Sequence, residues 1–277
     1  MRTNCFLFAA AFLSVTAIDV SSQAGEKQYL GGKWPSDQQI SMDQIDHSTW
    51  NQLLQLYVNG DGNVNYRQWK SNAAHVMALD QYLSSLSQAS PNKQSERASQ
   101  LAYWINAYNA VTIRGIIEVY PTKSIRDHTA RLYGYNIWHD LLLVVGDKGV
   151  SLDEMEHKIL RPMKEPRIHF AIVCASKSCP KLSNQAYLPK TIDKQLNDNA
   201  VDFFSSPRNF KYSPGQFQLS SILKWFAEDF GSSQRAQLQY FGPFLADAQA
   251  RSAATAGRGS ISYLGYDWDL NDQKTLQ

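Results

Sequence analysis

Apolar positions at helical spacing dominate the first half of the chain. Trp50, Leu53, Leu54 and Tyr57 outline a short helix, and Met77, Leu79, Leu83 and Leu86 give an amphipathic one over 70–87, broken by Ser90-Pro91-Asn92. From about Glu96 to Tyr120, ahead of Pro121, the stretch containing LAYWINAYNAVTIRGII is apolar around its whole axis. That pattern predicts a core helix rather than a surface one. Asn106 and Asn109 lie three apart on nearly the same side of it. Buried amides need partners, and the expected ones are backbone groups of a loop in the next layer.

The pattern changes at Leu141–Val145, a short run expected to be a strand, followed by the turn Gly146-Asp147-Lys148-Gly149. Ser151, with Glu154 three residues on, makes a capping box, so a helix is expected over 151–161. Leu152, Met155, Ile159 and Leu160 form its apolar arc, and Glu154, His157, Lys158 and Arg161 the opposite face. Glu156 falls inside the apolar arc, where a carboxylate must be paired or bear a large desolvation cost. Pro162 stops the helix, and RIHFAIVC, Arg167 to Cys174, then reads as a strand apolar on both faces. The three segments have the lengths of a βαβ unit, although the glycine-bounded turn could instead make a hairpin with Val150.

Further on, 183–206 looks helical, and NFKYSPGQFQL over 209–219 reads as a hairpin around Pro214-Gly215. Ser220 or Ser221 caps an aromatic-rich helix ending near Phe230. A helix over 234–249 is broken at Gly242-Pro243, RSAATAGRGS reads as a loop, and ISYLGYDWDLN adds a late strand with Asp267 and Asp269 flanking Trp268. The fold class expected is α+β, a small central sheet packed by helices, in one domain over 46–277 behind a leader at 18–45. There is no repeat, P-loop, dinucleotide fingerprint or interdomain linker, and no cofactor is expected. Asp61, Asn63 and Asn65 are spaced like a calcium loop, but Tyr66 stands where glycine is needed and Asn72 where a bidentate glutamate would be.

Composition adds a compartment. Residues 1–17 place Arg2 before a short apolar run and a small-residue cleavage site, the grammar of a signal peptide, so a periplasmic or extracellular chain is expected. The run is too short for a comfortable span, and no later stretch reaches membrane-spanning length. A net charge of +2, which loses one unit with Arg2, gives no long-range attraction for nucleic acid or an anionic membrane. The expected partner is a peptide or a cell-envelope polymer. Of three cysteines, the mature chain keeps Cys174 and Cys179, which in an oxidising compartment could be a disulfide, a redox pair, or one reactive thiol beside a buried neighbour.

Three chemistries compete for the stretch 151–182. In the first, a thiol hydrolase or transferase acting on an amide or ester bond, Cys174 is the nucleophile, His157 its imidazole partner and Glu156 the orienting carboxylate, with amides of 175–179 receiving the oxyanion. His169 is a poor partner on strand geometry, because five steps of about 3.3 Å put it roughly 16 Å from Cys174. The second is a metal site on His157 and His169 with Glu154 or Glu156, though the spacing matches no compact zinc signature. In the third, Cys174 and Cys179 form a structural disulfide and the domain binds a partner without catalysis.

EHKILR, PRIHFAIVCASKSCPKL, LAYWINAYNA and the closing YLGYDWDLN resemble, in their order, the domain family numbered five hundred and forty-seven among domains of unknown function, over roughly residues 50–272. Its signature positions correspond here to Asn106, Asn109, Glu156, His157, Arg161, Arg167, His169, Cys174, Cys179 and Pro180. The family has been compared with papain-like and transglutaminase-like proteins, so the resemblance implies such a fold and thiol chemistry. Papain-like enzymes carry the nucleophile at a helix start, whereas Cys174 follows an expected strand.

Overall fold

The structure, a computed structural model, describes residues 27–129 and 135–273. The signal peptide expected at 1–17 lies outside the described residues. The chain is a mixed α+β protein with two small three-stranded sheets among many helices, rather than one central sheet. Helices α1 (Ser48–Tyr57), α2 (Tyr66–Ser71) and α3 (Ala73–Leu86) pack around α4 (Arg97–Val119), whose middle is buried on all sides. Asn65 and Asn72 cap α2 and α3 through their side-chain oxygens, which explains why the turn after Asn59 leads into a helix.

In the first sheet, β2 (Leu141–Val145) lies between β1 (Gln28–Leu30), parallel to it, and β3 (Lys148–Ser151), antiparallel to it. All five residues of β2 are buried, as a central strand covered by α4 should be. Gly115 permits the close approach: a Cβ there would lie 2.6 Å from Ile137 Cδ1 and 2.8 Å from Leu141 Cδ2. The second sheet joins the hairpin of β4 (Phe210–Ser213) and β5 (Gln216–Leu219) to β6 (Ser260–Tyr263), which runs parallel to β5. A helix over Ala248–Thr255 takes up part of the expected loop RSAATAGRGS.

The βαβ expectation fails. Gly146, at a φ of +62°, turns β2 straight back into β3, which is the hairpin alternative. Arg167–Cys174 is not a strand: Pro166–Phe170 forms a 3-10 helix, and an irregular stretch follows. A short apolar run reports burial and not backbone conformation, and here burial is nearly complete without a ladder. Asn109 takes the place of a neighbouring strand. Its Nδ2 donates to the Ala171 carbonyl at 3.0 Å, and its Oδ1 accepts from the Val173 amide at 2.9 Å. Asn106 holds Tyr187 through the same pair of bonds, at 2.8 and 2.9 Å. The separation of His169 from Cys174 reckoned along a strand falls with the strand.

Two hydrophobic clusters fill the molecule, one around α4 and β2 and the other, rich in phenylalanine, around the helix Ile192–Ser205 and the second sheet. Segment 166–172 is the seam: Ile168, Ala171 and Ile172 pack into the first cluster, and Phe170 into the second.

Candidate functional site

A cavity of about 260 Å³ opens along this seam. One wall comes from α4 and the segment after Ser151, the other from residues 222–226 and 266–268, and Cys174, Cys179 and Pro180 border it. The segment begins with the expected capping box: Ser151 Oγ accepts from Glu154 N at 3.2 Å, and Glu154 Oε2 from Ser151 N at 3.3 Å. It then widens into a π-helical turn over Met155–Leu160. Such turns re-aim side chains, and this one buries both Met155 and Leu160 while Glu156 turns into the cavity wall.

Glu156 accepts a hydrogen bond from Tyr108 Oη at 3.3 Å. Burial raises its carboxyl to about 7; the Tyr108 bond and Arg161 oppose that rise, while Cys179 and Asp153 add to it. His157 is exposed, accepts at Nδ1 from Arg161 Nη1 at 3.2 Å, and has Nε2 3.8 Å from Asp153 Oδ1. Arg161 clamps Asp229 with Nε at 2.7 Å and Nη2 at 3.0 Å, and also pairs with Glu228. Arg167 lies away from the cavity, bonded to both oxygens of Glu165 at 2.8 Å and to Asp193 at 2.7 Å, where it ties the seam to the helix Ile192–Ser205.

His169 is buried and stacks on Phe226 with centroids 4.1 Å apart. Its Nε2 lies 2.8 Å from Asp229 Oδ2. A carboxylate only accepts, so Nε2 carries the proton. Burial pulls the ring down to about 4, against the pull of Asp229, and His169 is neutral at pH 7. Nδ1 is then a buried lone pair, and among the described residues it has no hydrogen-bond partner.

Both cysteines are free thiols. Ala175, between Cys174 and Ser176, adopts a φ of +60°, a left-handed conformation that a residue with a Cβ holds only when its surroundings fix it. The turn is fixed by the C-terminal segment: Lys177 N donates to Asp269 O at 2.8 Å, Ser178 N to Asp267 O at 3.1 Å, and Asn271 N to Ala175 O at 3.0 Å. Cys174 N donates to Cys179 Sγ at 3.0 Å and Cys179 N to Ser176 O at 3.1 Å. Of the turn amides expected to receive an oxyanion, those of Lys177, Ser178 and Cys179 are therefore already engaged.

The two sulfurs share two hydroxyls. Ser176 Oγ is 3.3 Å from each, and Tyr266 Oη is 3.4 Å from Cys174 Sγ and 3.2 Å from Cys179 Sγ. Burial opposes ionisation of Cys179, but the bonds from Cys174, Ser176 and Tyr266 outweigh it and bring the thiol to about 6. Cys179 itself, together with burial, drives Cys174 well above the usual thiol range. Of the two sulfurs, the shared bonds favour the thiolate at Cys179. Among the described residues, no ring nitrogen is hydrogen-bonded to either sulfur.

The metal arrangement expected from sequence does not form. His157 Nδ1 faces a guanidinium, His169 Nε2 is bonded to Asp229, and Glu154 is paired with Lys158 at 2.9 Å. Among the described residues no group of three or more histidine, cysteine or acidic side chains could hold a metal ion. No described helix is long and apolar enough to cross a membrane.

Sequence reasoning missed Tyr108, Asp229 and Tyr266. The closing YLGYDWDLN reads in sequence as a late strand and a family motif with no site residue, yet it supplies both the hydroxyl between the sulfurs and the backbone that holds their turn. Asp229 sits in an aromatic-rich helix with no local signal to distinguish it from a surface acid.

A search of curated proteins and of solved structures returned no match. Residues 92–204, which contain α4, the π-helical turn and both cysteines but neither Asp229 nor Tyr266, match the family described as "Protein of unknown function, DUF547", over a shorter span than the resemblance suggested. The resemblance to that family read from the sequence is thus matched over residues 92–204.

Proposed function

We propose that the chain is a secreted binding module that takes a small ligand, or the end of a peptide or envelope polymer, in the seam cavity. Cys174 and Cys179 close as a structural disulfide at its edge. The observation that carries this reading is the pair of hydroxyls, Ser176 and Tyr266, shared by both sulfurs while no described ring nitrogen is bonded to either. A hydrolase thiol works beside an imidazole that passes the proton to the leaving group, and none is bonded here among the described residues, whereas two sulfurs gathered on the same two hydroxyls stand as neighbours, as a disulfide requires. Closure releases two protons and passes two electrons to a disulfide donor of the oxidising compartment.

A second reading, a thiol hydrolase of papain-like or transglutaminase-like type, is favoured by one observation, the two free thiols that line the cavity.

Peptide mapping of chain isolated from an oxidising compartment without reductant, acid-quenched and alkylated, separates the two. Linked Cys174 and Cys179, with alkylation only after reduction, is the expected result. Two free thiols, one alkylating rapidly at neutral pH, would overturn the binding-module reading in favour of the hydrolase.

A further inference from the structure

The cavity is chemically one-sided. Trp138, Trp225, Phe226 and Trp268 line it together with Asp153, Glu156 and His169, and no lysine or arginine is among its lining residues. Glu156 receives one hydrogen bond, from Tyr108, although a carboxylate has about four acceptor sites. Arg161, the cation on its own segment, has its guanidinium committed to Asp229 and Glu228. His169 Nδ1 is a second acceptor, on a side chain 2 % exposed, without a donor. A buried acceptor left unsatisfied costs about 1–3 kcal/mol, so a complementary ligand brings N–H donors.

The aromatic faces add charge preference. Trp225 is 49 % exposed and packs on Tyr266 at 4.9 Å and Trp268 at 5.7 Å, an open wall of ring faces. Two other rings of the site already hold cations from outside: Arg126 lies 5.1 Å from the Trp268 centroid, and Arg161 5.4 Å from that of Phe226. Ring faces attract cations through their quadrupole, and a carboxylate beside them adds to the attraction.

We propose that the cavity recognises a primary ammonium group on an apolar stem, its N–H donors directed to Glu156 and His169 Nδ1 and its stem against Trp225. The proposal rests on the cavity being a binding site and adds its ligand class. Binding must strengthen as Glu156 ionises. The groups facing Glu156 are Tyr108 from α4, Asp153, His157 and Arg161 from its own segment, Cys179 from the turn, and His139, His169 and Asp229 around the cavity.

Calorimetric titration of the full chain with benzylamine, benzyl alcohol and benzoate tests this. Benzylamine is expected to bind at least about tenfold more tightly than the alcohol, with benzoate weakest. Its affinity should rise between pH 6 and 8, and fall about tenfold in Glu156→Gln and severalfold in Trp225→Ala, an exposed position whose replacement leaves folding intact. Equal affinity for amine and alcohol, or a Glu156→Gln chain that binds the amine unchanged, would overturn the ammonium assignment while keeping the cavity as a site. Absence of binding by all three probes would remove the cavity reading itself.

Discussion

The two hydrophobic clusters reach complete burial by different means. The first is organised by a single 23-residue helix, α4, and it surrounds Asn106 and Asn109, whose amides replace the ladder that irregular backbone at 171–173 and 187 would otherwise lack. The second is assembled from short helices and a hairpin, and phenylalanine fills it: Phe170 meets Phe203 at 4.8 Å, and Phe204 meets Phe241 at 5.2 Å. Long regular structure leaves backbone at its edges to be satisfied by side chains, whereas large rings tolerate short, irregular elements because their edges and faces pack at many angles. The cavity lies where the two modes meet, and there neither completes the packing.

Removing the ring that crosses the seam should do most damage. Phe170→Ala is expected to cost about 3–5 kcal/mol in denaturant unfolding, and a loss under about 1 kcal/mol would mean that the second cluster does not depend on the seam. Next in size, Asn109→Leu leaves the Ala171 carbonyl and Val173 amide unpaired within the first cluster, and about 2–4 kcal/mol should be lost. Because those bonds position the chain just before Cys174, the variant should also alter thiol reactivity in the reduced protein, which Phe170→Ala should change less.

At the seam the prediction is a pH profile. Buried His169 and His47 both titrate at about 4 in the fold against an ordinary 6.5. In that window the unfolded chain binds protons that the native chain refuses, so stability is lost as pH falls below 6.5. Glu156 has the opposite sign: its folded value of about 7 lies above the ordinary 4.5, so stability is lost as pH rises through that range. The three groups together place a maximum near neutrality. Glu156→Gln should raise stability at pH 8 by about 1–3 kcal/mol and leave it unchanged near pH 4, as followed by thermal unfolding. A variant destabilised at both pH values would show that the carboxylate is paired rather than buried at a cost. The smallest effect is expected for Tyr266→Phe, which deletes one hydroxyl from between the sulfurs: the absorbance titration of the Cys179 thiolate should move to higher pH, with little change in unfolding.

How much of this could be read from sequence follows from the range of each interaction. The capping box at Ser151, the all-round apolar α4 and the hairpin at Pro214-Gly215 are local patterns, and each folds as its pattern predicts. RIHFAIVC misled because an apolar run of that length specifies an interior and not a backbone, and the partner that released it from the sheet, Asn109, is far away in the chain. Glu156 was visible as a carboxylate on an apolar arc, but the π-helical turn that seats it in the cavity has no signature in spacing. Asp229 and Tyr266 join the site only through tertiary packing across the seam.

The most direct test of the sulfur pair as a lock on this seam is equilibrium unfolding of the chain in its oxidised and reduced forms at neutral pH. Closing so short a loop should stabilise the fold by about 2 kcal/mol, and Cys174→Ala should abolish the difference between the two conditions. Identical midpoints with and without reductant, in a chain whose Cys179 alkylates rapidly, would contradict a structural role for the pair.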